Sequence, residues 1–187
     1  MNLIVGLGNP EEKYKHNRHN VGFMVIDSLL LTLPFTRINK SSFRGALYKS
    51  SNILLLKPLT FMNLSGQSIE AVNSYFKPDN IVIIHDDLDL PFGTLKFKFG
   101  GGHGGHNGLR SIDECIGNEY LRVRIGIGKP QSRDKVIPHV LSDFSKNQQE
   151  DLEKIIKNAK EASLVLTKEN LREVSQQYSL KAKKENE

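Results

Sequence analysis

The pattern of apolar residues predicts an α/β protein: a single domain whose twisted, mixed and mainly parallel β-sheet is flanked by helices on both faces. Three observations predict it. Two short uninterrupted apolar runs, Leu3–Val5 and Ile81–Ile84, have the signature of central strands covered on both sides. Stretches of helical period separate the strand-like runs, the alternation that builds layered sheets. No repeat or linker divides the 187 residues, a length that suits one domain with a sizeable core.

In chain order, Leu3–Val5 predicts a buried strand and Val21–Leu33 a helix, stopped by Pro34. Phe43–Tyr48 and Asn52–Leu56 predict a hairpin turning on Lys49-Ser50-Ser51. Gly66–Phe76 places Ile69, Val72 and Phe76 on one helical face, with Pro78 behind it, and Ile81–Ile84 comes next as a strand. Thr94–Phe99 alternates, which predicts a half-buried strand with Leu95, Phe97 and Phe99 inward. A helix over Asn107–Ile116, a strand over Val123–Ile127 and helices over Gln148–Leu166 and Glu169–Tyr178 complete the domain at about residue 180. The charged tail Lys181–Glu187 is expected to be disordered.

Composition narrows the function classes. No run of about 18 apolar residues is present, so no membrane span is expected. The single Cys115 excludes an internal disulfide and fits a reducing compartment. With an N-terminus that reads as a strand from the start, this predicts a cytoplasmic protein. Net charge is +5 and the isoelectric point about 9.2, which favours an anionic partner such as nucleic acid. Thr94 to Lys135 alone nets +4. That excess surrounds a loop, Gly100 to Gly108, with six glycines, His103, His106 and Asn107. A backbone without side chains lets a large polar ligand approach. Lys96 and Lys98 before it share one strand face about 7 Å apart, near the spacing of successive phosphates.

Polar residues gather where strands end: Asn9, Asn63, Asp86 and Asn107. In open α/β sheets ligands bind beyond the carboxyl ends of strands, so these four predict one convergent site. Several motifs fail. Gly6-Leu7-Gly8-Asn9-Pro10-Glu11 begins as a dinucleotide fingerprint, but Glu11 occupies the third glycine position and would repel a pyrophosphate. Neither a GK[ST] phosphate loop nor a G-x-S-x-G elbow occurs. His16/His19 and His103/His106 are H-x-x-H pairs, yet no H-E-x-x-H or Cys/His pairing supports a metal site. The other role for a histidine is general base, and Asp86 is placed to orient His19.

Together these residues resemble the bacterial-type peptidyl-tRNA hydrolases. The resemblance rests on Val5-Gly6-Leu7-Gly8-Asn9-Pro10, on Tyr14 with Arg18-His19-Asn20-Val21-Gly22 after it, and on Lys57 to Gly66. It continues through His85-Asp86-Asp87-Leu88-Asp89-Leu90-Pro91, Lys96 to Gly108 and Arg124-Ile125-Gly126-Ile127-Gly128. Glu11 and Asn17 stand where the family usually has glycine and threonine. The resemblance implies a monomeric cytoplasmic esterase without cofactor that releases peptide from peptidyl-tRNA. It implies His19 as general base, Asp86 as its partner, and Asn9, Asn63 and Asn107 as holders of peptide and water. Tyr14, Phe61, Met62 and His106 would line the peptide channel. Lys98 and Arg124, with Lys96 nearby, would hold the tRNA 5′ phosphate. The alternative class is a noncatalytic RNA-binding module on the same fold.

Overall fold

The computed structural model describes residues 1–184. Seven strands form one sheet in the order β2-β3-β4-β1-β5-β7-β6. They are β1 (Asn2–Gly6), β2 (Thr36–Ile38), β3 (Gly45–Ser50), β4 (Ile53–Pro58), β5 (Asn80–Asp87), β6 (Leu95–Phe99) and β7 (Leu121–Gly126). β1 pairs in parallel with β4 and β5, and β5 with β7; β3 and β6 run the other way. The sheet is thus mixed and mainly parallel, as predicted.

Period-two alternation divides even the continuous apolar strands between two cores. Leu3 and Val5 of β1 join one cluster and Ile4 the other. The first cluster packs beneath α2 (Ser65–Phe76) and α3 (Asn107–Ile116). The second packs beneath α1 (Val21–Leu29), α4 (Val136–Val140), α5 (Gln149–Val165) and α6 (Leu171–Tyr178). Helices therefore cover both faces.

Four expectations are corrected. α1 ends at Leu29 rather than Leu33, because Leu31 beyond it is 89% exposed and has left the core. Phe43 closes a 3-10 turn, buried against α2, and β3 starts only after Arg44 in the left-handed region. β3 continues through Ser50, so the hairpin turns at Ser51 and Asn52. On β6 the alternation fails at its end. Leu95 is buried, but Phe99 is 56% exposed, because this edge strand runs past the helical cover.

Two glycines set the geometry near the sheet's carboxyl edge. A Cβ on Gly22 would lie 2.4 Å from the Leu7 nitrogen and 2.5 Å from the Ile84 oxygen, and one on Gly6 would lie 2.2 Å from the Gly22 oxygen. α1 can therefore start directly against β1 and β5, which carries the residues before it onto the ends of those strands. At the other terminus, Leu180 pairs with Leu95 and Lys183 lies 3.1 Å from Asp151. Residues 185–187 of the expected charged tail lie outside the described residues. Among the described residues, no helix is long and apolar enough to cross a membrane.

Candidate active site

The site is built around Asp86, which lies within β5 rather than after it and is 2% exposed. Burial alone would raise its pKa; the facing imidazoles of His19 and His106 outweigh that and hold the carboxyl well below its usual range. Its Oδ2 is 2.8 Å from His19 Nδ1 and its Oδ1 is 2.8 Å from His106 Nε2. The two imidazole rings are 5.0 Å apart.

The protons in this cluster are fixed by its neighbours. His106 caps α3, and its Nδ1 accepts from the backbone N–H groups of Gly108 and Leu109 at 3.1 and 3.2 Å. An acceptor nitrogen carries no proton, so the His106 proton is on Nε2, donated to Asp86. The ionised Asp86 only accepts, so His19 donates to it from Nδ1. His19 Nε2 is left with a free lone pair and no hydrogen-bond partner among the described residues. Burial opposes charge on His19, but the Asp86 carboxylate prevails and its pKa is raised.

His19 belongs to the 3-10 turn Arg18–Asn20 that leads into α1. Both of its neighbours are tied. Arg18 donates from its backbone to Ser142 and from Nη1 to Ser142 Oγ and the Asp143 carbonyl. Asn20 exchanges two 2.9 Å hydrogen bonds with the Asn9 backbone. Asn17, one of the two departures from the family pattern, donates to Asp143 at 2.7 Å.

Asn9 Oδ1 accepts from the Met62 N–H at 2.9 Å. Its amide nitrogen is thereby left as a donor without a protein partner among the described residues. Asn63 and Asn107 are exposed, Asn63 in the turn Met62–Leu64 and Asn107 at the first position of α3. A Cβ on Gly108 would meet Met62 Sδ at 2.7 Å, so the turn bearing Asn63 packs against the start of α3.

The residues expected to line a channel divide. Met62 is buried, Tyr14 is half-buried beneath the Lys13 ammonium, and Phe61 is exposed. His106 instead bonds Asp86. Lys98 and Arg124 line one cleft with His19, Asp86, His106 and Asn107, whereas Lys96, opposite Arg124 in the register, is exposed beyond it.

Sequence reasoning gave no role to His85 and Asp87, though they stand in the motif quoted above, nor to Arg122. Arg122 Nε donates to His85 Nε2 at 3.1 Å, and Arg124 Nε to Asp87 Oδ2 at 2.8 Å. Their two-residue spacings, 85/87 and 122/124, are a signal that could have found them, since such residues share a strand face. Burial first, then His106 and Arg122, push His85 down to about 3, so it is neutral.

Asp86, His19 and His106 present ligand atoms within 4.8 Å of one another, a set that fits a divalent ion. Here the Asp86 carboxylate instead accepts hydrogen bonds from both imidazoles. What the cluster offers chemically is a tautomer-fixed imidazole with the Asn107 carboxamide and two cations along the same cleft, while Asn9 and Asn63 stand on the adjoining segments joined by the Asn9–Met62 hydrogen bond.

Comparison with known proteins gives the family and the fold. The profile of the peptidyl-tRNA hydrolase family matches residues 3–187. The chain is 56% identical over 179 residues to the peptidyl-tRNA hydrolase of Sulfurimonas denitrificans, covering 96% of this chain and 97% of that one. It is 54% identical over 183 residues to that of Aliarcobacter butzleri, covering 97% and 100%. The crystal structure of peptidyl-tRNA hydrolase from Acinetobacter baumannii superposes with a TM-score of 0.89 at 38% identity, over 95% of this chain and 94% of the other. On fold and sequence together, the chain belongs to the peptidyl-tRNA hydrolase family.

Proposed function

We propose that this protein hydrolyses the ester joining a peptide to the 3′-terminal ribose of tRNA, with a water activated by His19, and so recycles tRNA from prematurely released peptidyl-tRNA in the cytoplasm. It works as a monomer and needs no cofactor. The observation that carries the reading is Asp86 held between two N–H donors, which leaves His19 Nε2 as the free base. His19 Nε2 takes a proton from water as the oxygen attacks the acyl carbon. The imidazolium, stabilised by Asp86, then returns the proton to the departing ribose oxygen. An ester needs no covalent nucleophile. The Asn9 amide, its oxygen held by Met62, donates to the developing oxyanion, a contribution of about 10²–10³-fold for one such donor. Asn63 and Asn107 hold the peptide, each able to donate and accept.

Lys98 and Arg124 bind the 5′ phosphate of the acceptor stem by charge rather than by base identity. Lys98→Ala is expected to weaken tRNA binding and to lower the slope of log K against log salt by about one. A slope equal to the parent's would remove Lys98 from the phosphate contact.

The direct test is release of N-acetyl-amino acid from N-acetyl-aminoacyl-tRNA with excess chelator, beside aminoacyl-tRNA with a free amine. Cleavage of the blocked substrate alone is expected. Binding without cleavage would assign the protein to the RNA-binding modules.

A further inference from the structure

The glycine loop faces a topological difficulty. β6 runs antiparallel to β7, with Phe99 opposite Leu121, so the loop begins at the amino edge of the parallel strands. Yet His106 must reach Asp86 near their carboxyl edge. The chain from Gly100 to Gly105 therefore crosses the sheet with His103 as its one side chain, which accepts from the Gly105 N–H within the loop at 3.0 Å, and four of its six residues have positive φ (65°, 93°, 58° and 81° at Gly100, Gly101, Gly104 and Gly105). Such a segment loses much conformational entropy on ordering.

Arg122 supplies the hold. It is 5% exposed, and its Nη1 donates to the carbonyls of Gly100 and Gly102 at 3.2 and 2.9 Å. Its Nε donates to His85 Nε2 at 3.1 Å. His85, 1% exposed, donates in turn from Nδ1 to the Asp86 carbonyl at 2.8 Å. Every proton in this chain has one place. His85 Nε2 accepts, so its single proton is on Nδ1. Lys98 sits opposite Arg122 in the register and lies over the same loop, since a Cβ on Gly101 would meet Lys98 Nζ at 2.6 Å and Arg122 Nη1 at 3.4 Å.

We infer that Arg122, acting through His85, is a positioning residue that couples the glycine loop beside the phosphate-binding cations to the backbone of Asp86, so that settling the anion and aligning the His19 base are one event. The inference rests on the hydrolase reading above. Arginine is required because only its planar fork can address two loop carbonyls and an imidazole at once; lysine carries the charge without that geometry. A buried role for the guanidinium as a general support of the fold would alter stability alone. A direct phosphate contact would alter affinity alone.

The experiment measures kcat and KM on N-acetyl-aminoacyl-tRNA with a 5′ phosphate or a 5′ hydroxyl, for the parent, Arg122→Lys, His85→Gln and the double variant. His85→Gln can keep an oxygen acceptor for Arg122, while its only donor, the terminal NH₂, lies at the far end of the side chain and not at the Nδ1 position that meets the Asp86 carbonyl. In the parent, loss of the 5′ phosphate is expected to lower kcat as well as raise KM. In each single variant kcat falls about tenfold or more, within the 10²-fold that a 1 Å misplacement can cost, while KM for the phosphorylated substrate stays near the parent's. The 5′ phosphate then no longer affects kcat. The double variant costs no more than the worse single one, as two members of one relay require. Parent-like kcat in a folded single variant, additive losses, or a rise in KM alone would overturn the inference. If Arg122→Lys does not fold, His85→Gln decides by the same kcat criterion. Failure of the parent to cleave either substrate would instead overturn the hydrolase reading itself.

Discussion

His19→Ala lowers turnover by about 10²–10⁴-fold, the usual worth of a positioned general base, and leaves tRNA affinity near the parent's. The cations of the cleft, Lys98 and Arg124, are on β6 and β7, away from the turn that carries His19. Binding and proton transfer therefore draw on different residues. Removing the imidazole deprives the buried Asp86 of one of its two donors, and breaking a buried charged pair is costly to the fold. His106 still donates at 2.8 Å, which limits the loss. His19→Asn separates the two effects, because its amide can supply the donor to Asp86 but no base. Both variants are expected to bind tRNA and both to lose turnover by about that factor. A folded His19→Asn with parent-like turnover would remove His19 from the mechanism, and collapse of both variants would make it structural.

Asp86→Asn is expected to reduce turnover by about 10²–10⁴-fold for a more particular reason. A carboxylate accepts from two N–H groups, whereas a carboxamide offers one oxygen and one NH₂. His106 cannot change tautomer, because its Nδ1 accepts from Gly108 and Leu109. It claims the asparagine oxygen. The NH₂ is left facing His19 Nδ1, which must then accept, and the His19 proton moves to Nε2. The lone pair that activates water is gone while shape and volume are kept. Turnover by Asp86→Asn at the parent rate would remove Asp86 from the mechanism. Large unfolding in place of a rate loss would give it a structural role.

Local pattern made part of this molecule readable. Apolar runs marked the central strands, and the polar residues noted at strand ends do stand after β1 (Asn9), after β4 (Asn63) and in the last residues of β5 (Asp86). β2 was missed because it has only three residues, the exposed Thr36 and Arg37 and the half-buried Ile38, too few to carry a period. α4 was missed because Pro138 stands inside its five residues. The fuller form of the site depends on contacts that no local pattern encodes. His106 is an unusual helix cap, since Ser, Thr, Asp and Asn dominate that position, so its fixed tautomer had no sequence signature. Arg122 was visible only as one more positive charge. Its burial and its bonds to Gly100, Gly102 and His85 arise from the antiparallel pairing of β6 with β7, which joins residues distant in sequence.

Both titrating partners at the centre affect the fold in defined pH windows. Asp86, depressed on folding, stabilises above its ordinary range near 3.8 and loses that only as pH falls through its lower folded value. His19, raised on folding, contributes fully below 6.5 and loses its contribution as pH rises through its folded pKa. That loss of stabilisation and the gain of a free base are the same proton leaving.

The most direct measurement is therefore kcat/KM against pH for the parent and for Asp86→Asn. The parent is expected to show one acid limb, set by His19 and placed above the ordinary 6.5. In Asp86→Asn the residual activity should rise from a limb at lower pH, because the carboxylate that favours the imidazolium is gone while burial remains. A parent profile without an acid limb, or one limb at the same pH in both proteins, would contradict an Asp86-held His19 as the base.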